Sequence, residues 1–177
     1  DGTWRTADRL TGLPSDNALA LAASSSGVWV GTDLGLARIG AGDSVLALPE
    51  RLAVLSLLVV RDTLWIGTTR GLMLRPETGE DLLVPRETEP ALRHPIVALA
   101  ALGDTLLAAT GDKLIVRAPG NPWTVLPVVS SPLGTLRALA ADSGGAWVGG
   151  ERGLGFFRFS GMDLSTYRVP DDVPGPV

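Results

Sequence analysis

The chain has 177 residues, 45% of them apolar, with a mean hydropathy of +0.26, so it can bury a core and does not have the composition of a disordered segment. Fifteen basic against nineteen acidic residues give a net charge of −4, which argues against nucleic acid as a partner, because a phosphate backbone requires a basic face. The absence of cysteine removes disulfides, thiolate nucleophiles and Cys-ligated metals, and no apolar run approaches the roughly 18 to 20 residues of a membrane helix.

The basic residues are fourteen arginines and Lys113, set among abundant Ala, Leu, Gly and Pro. That usage is what GC-rich coding sequence produces, and it points to a bacterial source. The chain opens on Asp1-Gly2 without an initiator Met or a signal peptide, so a processed or excised part of a longer polypeptide is expected.

Taken in chain order, the first expected element is a strand at Thr3-Trp-Arg-Thr6, followed by the lead-in Leu10-Thr-Gly-Leu-Pro14. A repeat then begins. Four segments superpose: Gly27–Leu36, Thr63–Leu72, Thr105–Leu114 and Gly145–Leu154, with the shared frame Trp-x-Gly-Thr-x-x-Gly-Leu. The anchors Trp29, Trp65, Leu107 and Trp147 are 36, 42 and 40 residues apart, close to the roughly 40 to 45 of a propeller blade. Eight residues before each anchor stands a leucine (Leu21, Leu57, Leu99, Leu139), and before that a small residue (Ala20, Ser56, Ala98, Ala138).

Each repeat reads as a strand A (Ala18–Ala23, Val54–Val59, Ile96–Ala101, Leu136–Ala141), a strand B through the anchor, a strand C after the Gly-Leu pair and a short strand D (Ser44–Leu48, Asp81–Val84, Pro122–Leu126, Ser165–Val169). A proline follows each strand D, at Pro49, Pro85, Pro127 and Pro170. A helical reading fails: 13 prolines and frequent glycines punctuate the chain, and the apolar residues recur with period two or in short runs.

The frame has physical roles. Trp29, Trp65 and Trp147, with Leu107 in the third repeat, supply large apolar area to wedge between neighbouring blades. Gly31, Gly67 and Gly149 permit close approach of an adjacent strand, and Gly35, Gly71 and Gly153 suit a tight B-to-C turn with positive φ. Thr32 and Thr68 are placed to close that turn by a hydrogen bond, which Gly150 in the fourth repeat cannot make.

The expected fold is therefore all-β: a β-propeller segment of about four four-stranded antiparallel blades, part of a larger ring of six to eight. Residues 1–12 supply a strand of a preceding blade and a linker, 13–49, 50–85, 86–127 and 128–170 the four blades, and 171–177 the lead-in to a further one. A closed four-bladed ring, or two copies closing together, are the alternatives.

The residues Leu13-Pro-Ser-Asp-Asn17 followed by Gly27-Val-Trp-Val-Gly-Thr-Asp-Leu-Gly-Leu-Ala-Arg38 resemble the two-component-regulator propeller repeat. The likeness covers essentially the whole chain and is degenerate in the third repeat, where Leu107 replaces Trp and Lys113 replaces Gly. The resemblance implies an extracytoplasmic, periplasmic propeller, often preceding a membrane helix and a histidine kinase. It implies no catalytic residue, since the motif is architectural.

No catalytic, cofactor or metal site is expected. The single histidine, His94, stands between Arg93 and Pro95 without an evident nucleophile or ligand set, and Tyr167, the only tyrosine, lies in a strand D, away from where a sialidase nucleophile would sit. The turns Ser24–Trp29 and Asp142–Trp147 resemble the Asp-boxes of sialidases, whose usual role is to stabilise hairpins. Each strand C ends in an arginine (Arg38, Arg75, Arg117, Arg158), either a ring of cations for an acidic partner or, the favoured reading, side chains that snorkel over apolar surface at a blade edge.

Functionally, the expectation is a non-catalytic protein-interaction or scaffold module, an accessory subunit of a membrane-associated assembly, contacting its protein partner through the loops Glu77–Asp81, Arg86–Pro95 and Val128–Gly134. The first alternative is a sensor that holds a small ligand at the axial mouth, where Asn17, His94 and Arg137 stand at the starts of strands A. The second is a fragment of a propeller hydrolase or lyase whose catalytic residues lie elsewhere.

Overall fold

The computed structural model describes residues 5–47, 51–76, 89–126, 130–159 and 163–168. Among these residues, fifteen strands fall into four antiparallel sheets. The first sheet contains β1 (Ala18–Ser24), β2 (Gly27–Thr32), β3 (Gly35–Ile39) and β4 (Val45–Ala47). The second contains β5 (Val54–Val60), β6 (Thr63–Thr68) and β7 (Gly71–Pro76); the third β8 (Ala98–Leu102), β9 (Thr105–Ala109), β10 (Leu114–Arg117) and β11 (Thr124–Leu126). The fourth holds β12 (Leu136–Asp142), β13 (Gly145–Gly150), β14 (Gly153–Arg158) and β15 (Asp163–Arg168).

Within each sheet the strands pair in sequence order, each with the next, so every sheet is a meander of hairpins. The expected second strand D, Asp81–Val84, lies outside the described residues. The N-terminal strand expected at Thr3–Thr6 is not found at Arg5 and Thr6, the two of its residues that are described. The segment instead borders Ile39 and Val45 and runs into a turn in which Asp8 accepts backbone hydrogen bonds from Thr11 (3.2 Å) and Leu13 (2.9 Å), seating Leu13 on Val30 and Ala37.

The sheets stack face to face in chain order, the innermost strands meeting in series: β1 on β5, β5 on β8, β8 on β12. This is the arrangement of consecutive propeller blades, and we number the sheets as blades 1 to 4. Because strand side chains alternate between faces, each blade has a forward face built around its anchor and a rear face that receives the anchor before it. Trp29 and Leu36 pack against Val54, Leu57, Leu64 and Ile66 of blade 2. Trp65 and Leu72 pack against Ile96, Leu106, Ala108 and Ile115 of blade 3. Leu107 and Leu114 then meet Leu136, Ala146, Val148 and Phe157 of blade 4.

Two glycines of the frame owe their identity to these interfaces. A Cβ on Gly31 would lie 2.5 Å from Val54 Cγ1, and one on Gly67 would lie 2.1 Å from Ser56 Oγ and 2.5 Å from the Ile96 carbonyl. The Thr hydroxyls close the B-to-C turns, donating to the carbonyls of Gly35 (Thr32, 2.9 Å) and Gly71 (Thr68, 2.8 Å) while accepting from the amides of Leu34 and Arg70. Thr110 of the third repeat works differently, donating to the Asp112 carboxylate and accepting from the Lys113 amide.

Short helices interrupt the expected loops between strand D of one blade and strand A of the next. A 3-10 turn spans Pro90–Arg93, started by Glu89, whose carboxylate accepts from the Ala91 amide (3.1 Å), and α1 spans Ser130–Leu133. Neither has an apolar period long enough to register in the sequence. Each nonetheless buries a residue: Leu92 joins the Trp65 cluster and Leu133 the Leu107 cluster.

Candidate functional site

Three residues singled out as candidate contacts stand at one end of the blades, where strands A begin. The structure does not gather them into a cleft. The amide of Asn17 donates to the Asp33 carboxylate (3.2 Å), linking the start of β1 to the B-to-C turn of the same blade. Arg137 forms an ion pair with Glu151 at the matching place in blade 4. His94 is exposed and ends the Pro90–Arg93 turn, its backbone amide donating to the Ala91 carbonyl at 3.2 Å.

A repeated backbone bond underlies this. The residue after strand B donates to the one before strand A in three blades: Asp33 to Asn17, Thr69 to Ala53 and Glu151 to Thr135, at 3.0–3.3 Å. The polar side chains at this end reinforce that closure. Hydrogen bonds from Ser15 and then Asn17 hold the Asp33 carboxyl below its ordinary value, and those from Arg137 and then Thr135 do the same for Glu151. In blade 3 the side-chain hydrogen bonds of Lys113 and Thr110 lower Asp112.

At the opposite end, Asp142 lies in the A-to-B turn of blade 4. Its carboxylate accepts from the Gly144 amide (2.8 Å) and from Trp147 Nε1 (3.0 Å), and both bonds lower its pKa. The acid thus fixes its own hairpin and orients the anchor tryptophan. Among the described residues no three His, Asp or Glu side chains group together in a way that could hold a metal ion.

The strand C arginines divide into two pairs, a split carried by their offsets of 2, 3, 3 and 4 residues from Leu36, Leu72, Leu114 and Leu154. Arg75 and Arg117 stand on the rear faces of blades 2 and 3, opposite Leu64 and Leu106 in the register. Their guanidinium carbons lie 5.3 Å from the Trp29 ring and 5.9 Å from the Trp65 ring of the preceding blade. Arg38 and Arg158, opposite Trp29 and Gly145, stand on the forward faces of blades 1 and 4. The four therefore form no single ring of cations, and Arg75 is buried against apolar surface.

One concave feature escaped the sequence. A cleft of about 300 Å³ opens between blades 2 and 3, lined by Val60, Arg61, Trp65, Asp104, Arg117 and Gly120 among others. Arg61 and Asp104 pair across its rim, joining the A-to-B turns of the two blades, and Arg61 holds a left-handed backbone with φ +53°. The sequence signal was the acidic or basic residue in each of these turns, which reads alone as a solvated loop.

Chain order, sheet topology and interlocking faces define the molecule as a β-propeller in class. No family model matches the chain, and no curated protein matches it in sequence. Solved structures match its fold. The extracellular domain of a putative hybrid two-component system, BT4673 of B. thetaiotaomicron, aligns with TM-score 0.71 at 16% identity, over 90% of this chain and 22% of that one. A streptogramin B lyase aligns at 0.66 with 11% identity, over 90% of this chain and 57% of the lyase. PorZ, a surface component of the type-IX secretion system of Porphyromonas gingivalis, aligns at 0.63 with 15% identity, over 89% of this chain and 21% of that one. The chain thus spans between about a fifth and somewhat over half of these structures, and at such identities the likeness is one of fold. Among the described residues, no helix is long and apolar enough to cross a membrane.

Proposed function

We propose that this chain is a non-catalytic, extracytoplasmic interaction module of the two-component-regulator propeller type, serving as an accessory part of a membrane-associated assembly. The observation that carries the reading is the internal pairing of its polar end groups. Asn17 is held with Asp33 and Arg137 with Glu151, so these polar groups at the strand A starts brace their own blades. At the same end the Pro90–Arg93 segment is fixed against the neighbouring blade: a Cβ on Gly71 would lie 2.3 Å from the Leu92 carbonyl. A loop held this firmly loses little entropy on docking, which suits a protein contact. Extracellular and cell-surface propellers among the similar structures support the compartment.

The test is cross-linking in intact source cells followed by purification of the tagged protein, comparing the natural sequence with Arg93→Glu and His94→Asp on the exposed part of that loop. One or more stoichiometric partners, lost in the variants, are the expected outcome. Absence of any partner would overturn the proposal.

A sensor role is the second reading, favoured by the cleft between blades 2 and 3. Its lining sets Arg61 and Arg117 beside the edge of Trp65, the chemistry of an anionic ligand such as an acidic saccharide that would compete with Asp104 for Arg61. A rise in Tm with such a ligand, abolished by Arg61→Ala, would favour it over the interaction module.

A further inference from the structure

The B-to-C turns, at the end of the blades where strands A begin, do not all carry the same charge. Those of blades 1, 3 and 4 each hold an acid, and each acid is engaged within its own blade: Asp33 by Asn17 (3.2 Å), Asp112 by Lys113 (2.9 Å) and Glu151 by Arg137. The turn of blade 2, Thr69-Arg70, has no acid. Arg70 is exposed, and among the described residues no ion pair joins it to a carboxylate.

The loop that enters blade 3 lies against this same turn. A Cβ on Gly71, the residue after Arg70, would lie 3.0 Å from Arg93 Cα, and the Ile96 amide donates to the Thr68 carbonyl at 3.1 Å. On the other side, the Thr69 amide donates to the carbonyl of Ala53 (3.2 Å), two residues after Arg51. Arg51, Arg93 and His94 are exposed. Glu89, the acid at the start of the loop, directs its carboxylate to the Ala91 amide. Three cationic segments are thus tied together by backbone bonds and one close contact, at a place where the turn acid of the other blades is missing.

We propose that this basic face at the boundary of blades 2 and 3, formed by Arg51, Arg70, Arg93 and His94, receives a segment of a partner protein rich in Asp and Glu. The proposal rests on the interaction reading above and names the chemistry of the partner. Charge complementarity selects an anion, and the planar fork of a guanidinium matches a carboxylate through two parallel hydrogen bonds. Anchoring on an anionic bilayer combines basic residues with inserted apolar side chains. The exposed large apolar side chains among the described residues belong to blades 1 and 4 and the lead-in to blade 1, and none stands on blades 2 or 3. Because blades 2 and 3 each have a neighbour on both sides, this face belongs to the interior of the stack.

The test is fluorescence anisotropy of a labelled oligoglutamate peptide of about twelve residues at about 50 mM salt, where surface charges are weakly screened. Binding that weakens as salt rises is expected. Arg70→Gln and Arg93→Gln should each weaken it about 3-fold, and about 10-fold together, as loss of exposed ion pairs does. Arg158→Gln removes the same charge from an exposed side chain at the opposite end of blade 4, and should leave binding within about 2-fold because the site lies beyond the screening length. No binding, binding unaffected by the double variant, or an equal loss in Arg158→Gln would overturn the proposal. Tighter binding to phosphatidylglycerol vesicles than to the peptide would assign the face to a membrane and overturn it as well. The peptide measurement needs no cellular partner, so its failure is separable from that of the interaction reading. Partners cross-linked equally by the natural sequence and the double variant would overturn the acidic-partner proposal while leaving the interaction module standing.

Discussion

Arg75 of blade 2 lays its guanidinium 5.3 Å from the centre of the Trp29 ring of blade 1, and the arginine is itself buried. The pair spans a blade interface, so its strength reports on the docking of the two sheets. A desolvated cation over an indole contributes about 2 kcal/mol, and the arginine stem adds packing. Arg75→Ala should therefore lower the unfolding free energy by about 2 to 3 kcal/mol. Arg61→Ala, which removes an ion pair between largely exposed side chains, should cost less than about 1 kcal/mol. Chemical denaturation of the two variants side by side checks the contrast.

Gly67 and Gly149 hold the same place in the frame but not in space. With Ser56 Oγ at 2.1 Å and the Ile96 carbonyl at 2.5 Å from the position of a Cβ, Gly67→Ala forces two blades apart and should cost about 1 to 3 kcal/mol or more. Gly149→Ala meets nothing closer than Ala138 at 3.4 Å among the described residues and should be neutral or stabilising by about 0.5 kcal/mol, since glycine is unfavourable within a strand. Urea midpoints at low protein concentration distinguish the two.

Restoring the repeat frame in blade 4 should do harm. Gly150 stands where blades 1 and 2 have the turn-closing Thr32 and Thr68, but a Cβ there would lie 2.4 Å from the Leu133 carbonyl at the end of α1. Gly150→Thr is expected to lower Tm despite matching the frame, whereas Thr68→Val, which removes the hydroxyl bonds to Gly71 and Arg70, should cost about 1 kcal/mol. Thermal melts that show Gly150→Thr to be stabilising would refute the steric account.

Acid should weaken the fold through a small set of carboxylates. Asp33, Asp112, Asp142 and Glu151 are all held below their ordinary values in the folded chain by hydrogen bonds to the ionised form. Their contribution is complete above the unfolded carboxylate range and is lost as pH falls below about 4, where the folded chain takes up protons later than the unfolded one. Tm should thus be flat from pH 7 to about 5 and fall below that. Asp142→Asn should show a shallower fall, because one of the four groups no longer titrates. An unchanged slope would remove Asp142 from the set.

Much of the blade architecture was legible because a repeat states its own geometry. The frame around Trp29, Trp65 and Trp147 set strands B and C, the leucine eight residues upstream located strand A, and the glycine pair marked the close approach and the turn. The candidate site was less legible. Asn17, His94 and Arg137 stand near the starts of strands A, but the local pairing of Asn17 with Asp33 and of Arg137 with Glu151 depends on which acid stands in the turn of the same blade, 14 to 16 residues away in sequence. The cleft between blades 2 and 3 is formed by turns more than forty residues apart and has no local pattern.

By itself the sequence determined the strand order, the anchors and the glycine positions, because period-two burial and the absence of a Cβ are properties of the individual residue and its immediate neighbours. Only the tertiary structure decided what the strand C arginines meet. Arg75 and Arg117 turn back onto the preceding tryptophans while Arg38 and Arg158 turn the other way, since a shift of one residue along a strand reverses the face. It also decided that, among the described residues, Gly31 and Gly67 are filled against while Gly149 is not, because close approach belongs to the neighbouring blade and not to the glycine.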